Sequence, residues 1–158
     1  INSEAARKRI IHEIKRRYYS VGEQYYGNFN HFTVSEQKLI ILYSCMKTYR
    51  MLFDFVFDVV IEKWLSFDLA INTSDVEKFL DIKSNIHKEI DKWSTTTRKK
   101  NISGLILMLK QAGIITNSKL TQVEASDNFW RLFVESNESW FLEAGLLSKE
   151  QREKIING

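Results

Sequence analysis

W-S-T-T-T-R-K-K-N-I-S-G-L-I-L-M-L-K-Q-A-G-I-I-T-N-S-K-L, Trp93 to Leu120, is the stretch on which the reading of this chain turns. Thr95, Thr96 or Thr97 can each cap a new helix, because a threonine hydroxyl accepts from the unpaired N–H groups of a first turn. Ile102, Leu105, Ile106 and Leu109 then recur at i, i+3, i+4 and i+7, which is the stripe of a helix packed on one side. Gly113 predicts a left-handed stop. Ile114 to Val123 reads as two short strands around Asn117-Ser118, a plausible hairpin turn. The oddity is at the start, where Arg98, Lys99 and Lys100 crowd the first turn. The backbone dipole already makes that end positive, so cations there need an anion to face.

Upstream, Ser74-Asp75-Val76-Glu77 has the form of a capping box, with Ser74 as cap and Glu77 reaching back. Phe79, Ile82, Ile86, Ile90 and Trp93 continue an apolar face to a helix end near Asp91 or Lys92. The order is therefore helix, short turn, helix, hairpin, the layout of a winged helix-turn-helix. Such a unit offers the first residues of its second helix to DNA. Here those are Thr97, Arg98, Lys99, Lys100 and Asn101, with Lys119 at the hairpin tip as a further backbone contact. The competing reading is a helical hairpin buried in the core, with its lysines merely solvated.

Charge supports the first reading. The net charge of +3 hides a segregation: residues 1–20 carry +4, residues 21–91 carry −4, residues 92–123 carry +6 without one acid, and residues 124–158 carry −3. Segregated basic segments are the footprint of a polyanion-binding surface. The first of them reads as a helix over residues 4 to 20. Ile10, Ile11, Ile14, Tyr18 and Val21 form its expected core face, and Arg7, Lys8, Arg9, Lys15, Arg16 and Arg17 its outer surface. Tyr25 to Phe32, Y-Y-G-N-F-N-H-F, then breaks the pattern as an aromatic loop.

The 158 residues, 44% of them hydrophobic and 13% aromatic, suffice for a real core, and the absence of proline leans the composition towards helix. Ser35 is the expected cap of the next helix, with Lys38 three residues on leaving its box incomplete. The apolar region Leu39 to Phe67 follows. Lys47, Arg50, Asp54, Asp58, Glu62 and Lys63 interrupt it too often for a membrane span. The acids at i, i+4 spacing there, Asp54, Asp58 and Glu62, read as a solvated or salt-bridged face, since no histidine ligand pair accompanies them. Phe129, Trp130, Leu132 and Phe133 mark another helix, A-G-L-L at 144–147 repeats the stop chemistry of A-G-I-I at 112–115, and Ser148 with Gln151 boxes a last short helix.

No catalytic pattern appears. His12, His31 and His87 lie on separate segments, and the single cysteine, Cys45, reads as a small buried hydrophobe and excludes a disulfide framework. No glycine-rich phosphate loop, H-E-x-x-H or G-x-S-x-G motif occurs. The expectation is a non-enzyme without cofactor, metal or small-molecule substrate. Residues 1 to 20 are too charged for a signal peptide, so a reducing, cytoplasmic setting is expected.

The runs E-Q-K-L-I-I-L-Y-S-C-M-K-T-Y-R-M-L-F-D-F-V-F-D-V-V-I-E-K-W (36–64), V-E-K-F-L-D-I-K (76–83), S-T-T-T-R-K-K-N-I-S-G-L-I-L-M-L-K-Q-A-G-I-I (94–115) and W-F-L-E-A-G-L-L-S (140–148) resemble the BrxA family. Its members are small accessory proteins of bacteriophage exclusion (BREX) defence systems. The resemblance implies a mostly helical, soluble, non-enzymatic protein that binds double-stranded DNA beside a methyltransferase and other BREX components. It also matches the basic residues of 7–17 to an arginine-rich helix of the family, and implies a further N-terminal helical segment that is short or missing here.

The expected fold is mainly α, a compact helical bundle containing a helix-turn-helix unit with a small β-hairpin wing. Its expected parts are 1–33 (basic helix and aromatic loop), 34–93 (helical core), 94–125 (winged segment) and 126–158 (C-terminal helices). The expected DNA contacts are Thr97, Arg98, Lys99, Lys100, Asn101, Lys119, Arg7, Lys8, Lys15, Arg16 and Arg17, acting mainly on phosphates with little sequence discrimination. Two alternatives stand beside it. One is a scaffold subunit using exposed aromatics among Tyr18, Tyr19, Tyr25, Tyr26 and Phe29; the other is an RNA-binding helical domain.

Overall fold

The computed structural model describes residues 3–158; residues 1 and 2, the first of the expected N-terminal part, lie outside the described residues. Helix α1 (Glu4–Val21) begins at Ser3, whose hydroxyl accepts from the Ala6 N–H at 3.2 Å. The aromatic loop folds into a short α2 (Glu23–Tyr26) and a 3-10 turn (Phe29–His31) before α3 (Val34–Thr48). Thr33 caps α3, not Ser35, and the box is complete because Glu36 lies three residues beyond Thr33. The chain breaks at Tyr49, then runs helically as α4 (Arg50–Phe55), a π-turn (Val56–Val60) and α5 (Ile61–Leu65). Leu39 to Phe67 is therefore interrupted, and among the described residues no helix is long and apolar enough to cross a membrane.

α1 runs antiparallel to α3. Ser20 bonds the Ser44 carbonyl and the Thr48 hydroxyl, while Glu13 and Arg17 meet Tyr49, just past the end of α3. The N-terminal part of α1 thus overhangs its partner. This corrects the expected core face: Val21 is buried, but Ile10, Ile11 and Ile14 are 39%, 53% and 60% exposed. Helical spacing locates a stripe, but nothing in it says how far the neighbouring helix extends.

The second half holds α6 (Thr73–Ile86), α7 (Lys88–Asp91), α8 (Thr95–Ala112) and a hairpin of β1 (Ile115–Thr116) and β2 (Lys119–Leu120). The cap of α6 is Asn72 with Asp75 at the third helical position, two residues ahead of the expected Ser74 and Glu77 box. The helix also breaks at His87, so the expected face divides. Phe79 and Ile90 are buried, whereas Ile82 and Ile86 are 63% and 71% exposed. The acid ladder is salt-bridged as expected: Lys83 reaches Asp54 at 2.8 Å and Asp58 at 3.0 Å, and Arg50 holds Asp54 at 2.6 Å.

α9 (Asp127–Glu135), α10 (Trp140–Ala144) and α11 (Lys149–Asn157) close the fold, the last with the expected Ser148 and Gln151 box. Their aromatics form the densest part of the core. Phe133 stacks on Tyr25 at 5.1 Å, meets Tyr43 edge-on at 5.0 Å and lies 4.6 Å from Phe141. One continuous apolar cluster extends from Val21 to Ile155 and includes Cys45.

Four helices stop by the same device, in which the residue past the cap turns left-handed and the next N–H reaches back to the fourth residue before the left-handed one: Asp68 to Lys63, Ile114 to Leu109, Glu138 to Phe133 and Leu147 to Leu142. The left-handed residues are Phe67, Gly113, Asn137 and Leu146. Gly113 does as expected, at φ +86. The A-G-L-L likeness is out of step, since Leu146 and not Gly145 takes the left-handed place. Leu146 is fully buried, which offsets its strain, but Phe67 is 88% exposed. Phe67→Gly removes a Cβ clash that no contact offsets, and is expected to raise stability by about 0.5–1 kcal/mol in a denaturant titration.

Candidate nucleic-acid interface

α8 has two faces, and its sequence sets both. Ile102, Leu105, Ile106, Leu109 and Ala112 are buried, packed towards α3 and α6. Thr96, Lys99, Lys100, Ser103, Gly104 and Leu107 line a shallow surface depression of about 430 Å³ on the opposite face. This outward stripe has the same helical spacing as the buried one, and no acid falls on it.

The cap corrects the reading of the cations. Ser94 is the cap, accepting from the Thr97 N–H at 3.1 Å, so the helix starts at Thr95. Its first three residues are threonines, and the Arg98 N–H is already bonded to the Ser94 carbonyl at 2.9 Å. Arg98, Lys99 and Lys100 are the fourth to sixth helical residues. They stand past the unpaired N–H groups, so the conflict with the dipole is weaker than one-residue counting suggests.

The expected site residues divide. Arg98 turns back onto α6, where its guanidinium bonds the Asp81 carboxylate and, at 3.2 Å, the Glu77 carbonyl. Thr97 bonds the Ser94 hydroxyl at 2.9 Å, and the Asn101 amide donates to the Thr97 carbonyl at 3.0 Å. Of the three cations, Lys99 and Lys100 are exposed and without an ion pair among the described residues, whereas Arg98 is half-buried and paired. Lys119 is exposed but is not the hairpin tip. Asn117 and Ser118 occupy the turn at φ +52 and +59, the mirror-image turn that suits a hairpin. β2 is flanked on its other side by residues 69–71, through Leu120 N–H to Leu69 at 2.8 Å and Ile71 N–H to Ser118 at 3.1 Å.

On α1, Arg7, Lys8 and Lys15 are exposed, Lys8 in a 2.8 Å pair with Glu4. Arg16 and Arg17 gather on Tyr49 instead. Arg16 lies 5.3 Å from the ring centre, and Arg17 donates twice to the hydroxyl at 3.2 Å. That hydroxyl donates to Glu13, whose carboxyl is held below its ordinary range first by this bond. The two basic segments meet at the far end of α8, where Arg17, Lys110 and, from α3, Lys38 surround one groove. From Lys100 to Lys110 is about 15 Å along the helix. Sequence reasoning passed over Lys38, Gly104 and the groove, since only packing reveals which solvent faces coincide. Of the five aromatics suggested for a scaffold surface, Tyr19 is 75% exposed, Tyr25 is buried, and Tyr18, Tyr26 and Phe29 are half-buried against one another.

The BrxA family model matches residues 1–137. The chain belongs to the BrxA family. A curated relative, the BREX protein BrxA of Bacillus cereus (strain H3081.97), is 27% identical over 119 residues, which cover 75% of this chain and 60% of that protein. The chain thus spans about 60% of the length of the curated relative it matches. No solved structure matches it.

Proposed function

We propose that this BrxA-family chain is a non-enzymatic, cytoplasmic DNA-binding accessory protein of a BREX phage-defence system, with other BREX components as its protein partners. It holds double-stranded DNA by phosphate contacts and discriminates little between sequences. The observation that carries this reading is the outward stripe of α8, with Lys99 and Lys100 exposed and without an ion pair among the described residues, and Ser103 and Gly104 beside them. Gly104 is mid-helix, and a Cβ built on it meets nothing within 4 Å. A glycine there costs about 1 kcal/mol against alanine, with no internal contact to require it. A bare backbone one turn beyond two cations suits close approach of a phosphodiester chain. α6, α7, α8 and the hairpin then serve as a helix-turn-helix with a short wing, Lys119 lying on the wing and Arg7, Lys8 and Lys15 adding distant phosphate contacts.

Fluorescence anisotropy with unrelated short duplexes, titrated with salt, tests this. Removing Lys99 and Lys100 together by alanine is expected to weaken binding roughly tenfold at low salt and to flatten the slope of log affinity against log salt by about 1.8. Arg98→Ala has a smaller effect, since its guanidinium already serves Asp81. Gly104→Ala is expected to stabilise the fold by about 0.5–1 kcal/mol while weakening binding. Affinity and salt slope unchanged in the double variant would reject the site. Stronger binding of duplex RNA than DNA in the same assay would favour the RNA-binding reading.

A further inference from the structure

A cavity of about 510 Å³ lies away from the proposed DNA stripe. It is a half-open groove between α1 and α8, floored by α3. Ile41, Cys45 and Met108 are among the apolar side chains that line it, and Arg17, Lys38 and Lys110 bring three cations. No carboxylate lines it. Lys38 and Lys110 form no ion pair among the described residues, while Arg17 is bonded to the Tyr49 hydroxyl, which holds the Glu13 carboxylate nearby. Ile41 remains 44% exposed although it sits on a helix whose other residues supply the core.

We infer that this groove is a docking site for an acidic amphipathic segment of a partner protein. Its volume lies in the roughly 300–1,000 Å³ range of sites that enclose a ligand group. A phosphate backbone would satisfy the cations but leave Ile41 and Met108 uncovered, because it offers no apolar side chain. A neutral apolar segment would cover those two and bury Lys38 and Lys110 without a counter-charge, which is costly. A helix or strand with leucine or phenylalanine on one side and carboxylates beside it satisfies both requirements. Methionine on the wall allows the groove to adapt to the side chain that enters.

Lys38, Ile41 and Lys110 are outside the residues assigned to DNA, so the two readings fail separately. The probe is a fluorescein-labelled peptide with glutamates and with leucine and phenylalanine at helical spacing, compared with its counterpart carrying lysine for every glutamate. The full chain is expected to bind the acidic peptide and to ignore the basic one. Lys38→Glu with Lys110→Glu, or Ile41→Asp alone, is expected to weaken the acidic peptide at least tenfold while circular dichroism and duplex-DNA affinity stay unchanged. Lys38→Gln with Lys110→Gln gives a smaller loss if charge reversal disturbs folding. No binding of the acidic peptide, or equal binding of the basic one, overturns the proposal. So does parallel loss of DNA affinity, which makes the groove part of the nucleic-acid surface. Self-association by sedimentation that the Ile41→Asp variant abolishes also overturns it, since a second copy is then the occupant.

Discussion

Glu36→Ala is expected to lower stability by about 3 kcal/mol and the melting temperature by roughly 6–12 °C. Glu36 is only 5% exposed, and its two carboxylate oxygens serve two helix starts. Oε2 accepts the Thr33 N–H at 2.9 Å and hydroxyl at 3.0 Å, completing the cap of α3. Oε1 accepts the Ser126 N–H at 3.0 Å and hydroxyl at 2.7 Å. Ser126 in turn caps α9 through the Phe129 N–H. One side chain therefore ties residue 33 to residue 126 across the fold. Alanine removes four bonds to an ionised carboxylate, each worth about 1.5–3 kcal/mol, although water partly replaces them because Thr33 and Ser126 are themselves exposed.

The same contact predicts a pH dependence. Burial pushes the Glu36 carboxyl up, but the bonds from Ser126 and Thr33 outweigh it and hold the carboxyl below its ordinary value of 4.5. A depressed folded value means that the unfolded chain takes up the proton first as pH falls. The Glu36 contribution is complete above about pH 5 and is lost from near pH 4.5 downwards, through the folded value. Urea titrations between pH 7 and pH 3 are expected to show Glu36→Gln lying below the native chain at neutral pH, with the gap closing in acid. A gap that stays constant would mean that the ionised form has no special role.

Gly145→Ala is the second large effect, at about 1–3 kcal/mol. The backbone at Gly145 is ordinary, φ −77 and ψ 3, so alanine meets no conformational penalty. The whole cost is steric. A Cβ there would lie 3.0 Å from Cζ3 and 3.2 Å from Cζ2 of Trp130, and closer still to Cη2. Moving Trp130 costs packing. It is 2% exposed, with Phe129 at 5.2 Å and Phe141 at 6.0 Å behind it. A double-mutant cycle with Trp130→Phe isolates the clash. Trp130→Phe destabilises alone, and in that background Gly145→Ala is expected to cost at least about 1 kcal/mol less than in the native chain. Strict additivity would place the cost elsewhere than the indole. Near-ultraviolet circular dichroism should change with the single variant, since the ring has to move.

What was legible in the sequence is what depends on neighbours a few residues apart. The buried stripe of α8, the stop at Gly113, the Asn117-Ser118 turn, the box at Ser148 and the salt-bridged acids at 54 and 58 all emerged as read. The membership in the BrxA family was legible too, in runs such as 36–64 and 94–115. Caps misplaced by one to three residues, Ser35 for Thr33, Ser74 for Asn72 and any of Thr95, Thr96 or Thr97 for Ser94, show where that logic weakens. Adjacent hydroxyl and amide residues are equivalent as caps: Ser74 with Glu77 has the same box spacing as Asn72 with Asp75, so spacing alone does not choose between them.

Only the tertiary structure decided which surfaces are free. Ile10, Ile11 and Ile14 have a core pattern and no core, because α3 ends before α1 does. Arg98 belongs to a basic run yet spends its charge on Asp81, a residue 17 positions away. Lys38 sits among acids in sequence and beside Arg17 and Lys110 in space. Helical periodicity is a property of one segment, whereas exposure and charge pairing are properties of two segments brought together. A sequence fixes the first by sterics and hydrogen bonds within a turn; the second exists only once the helices have packed.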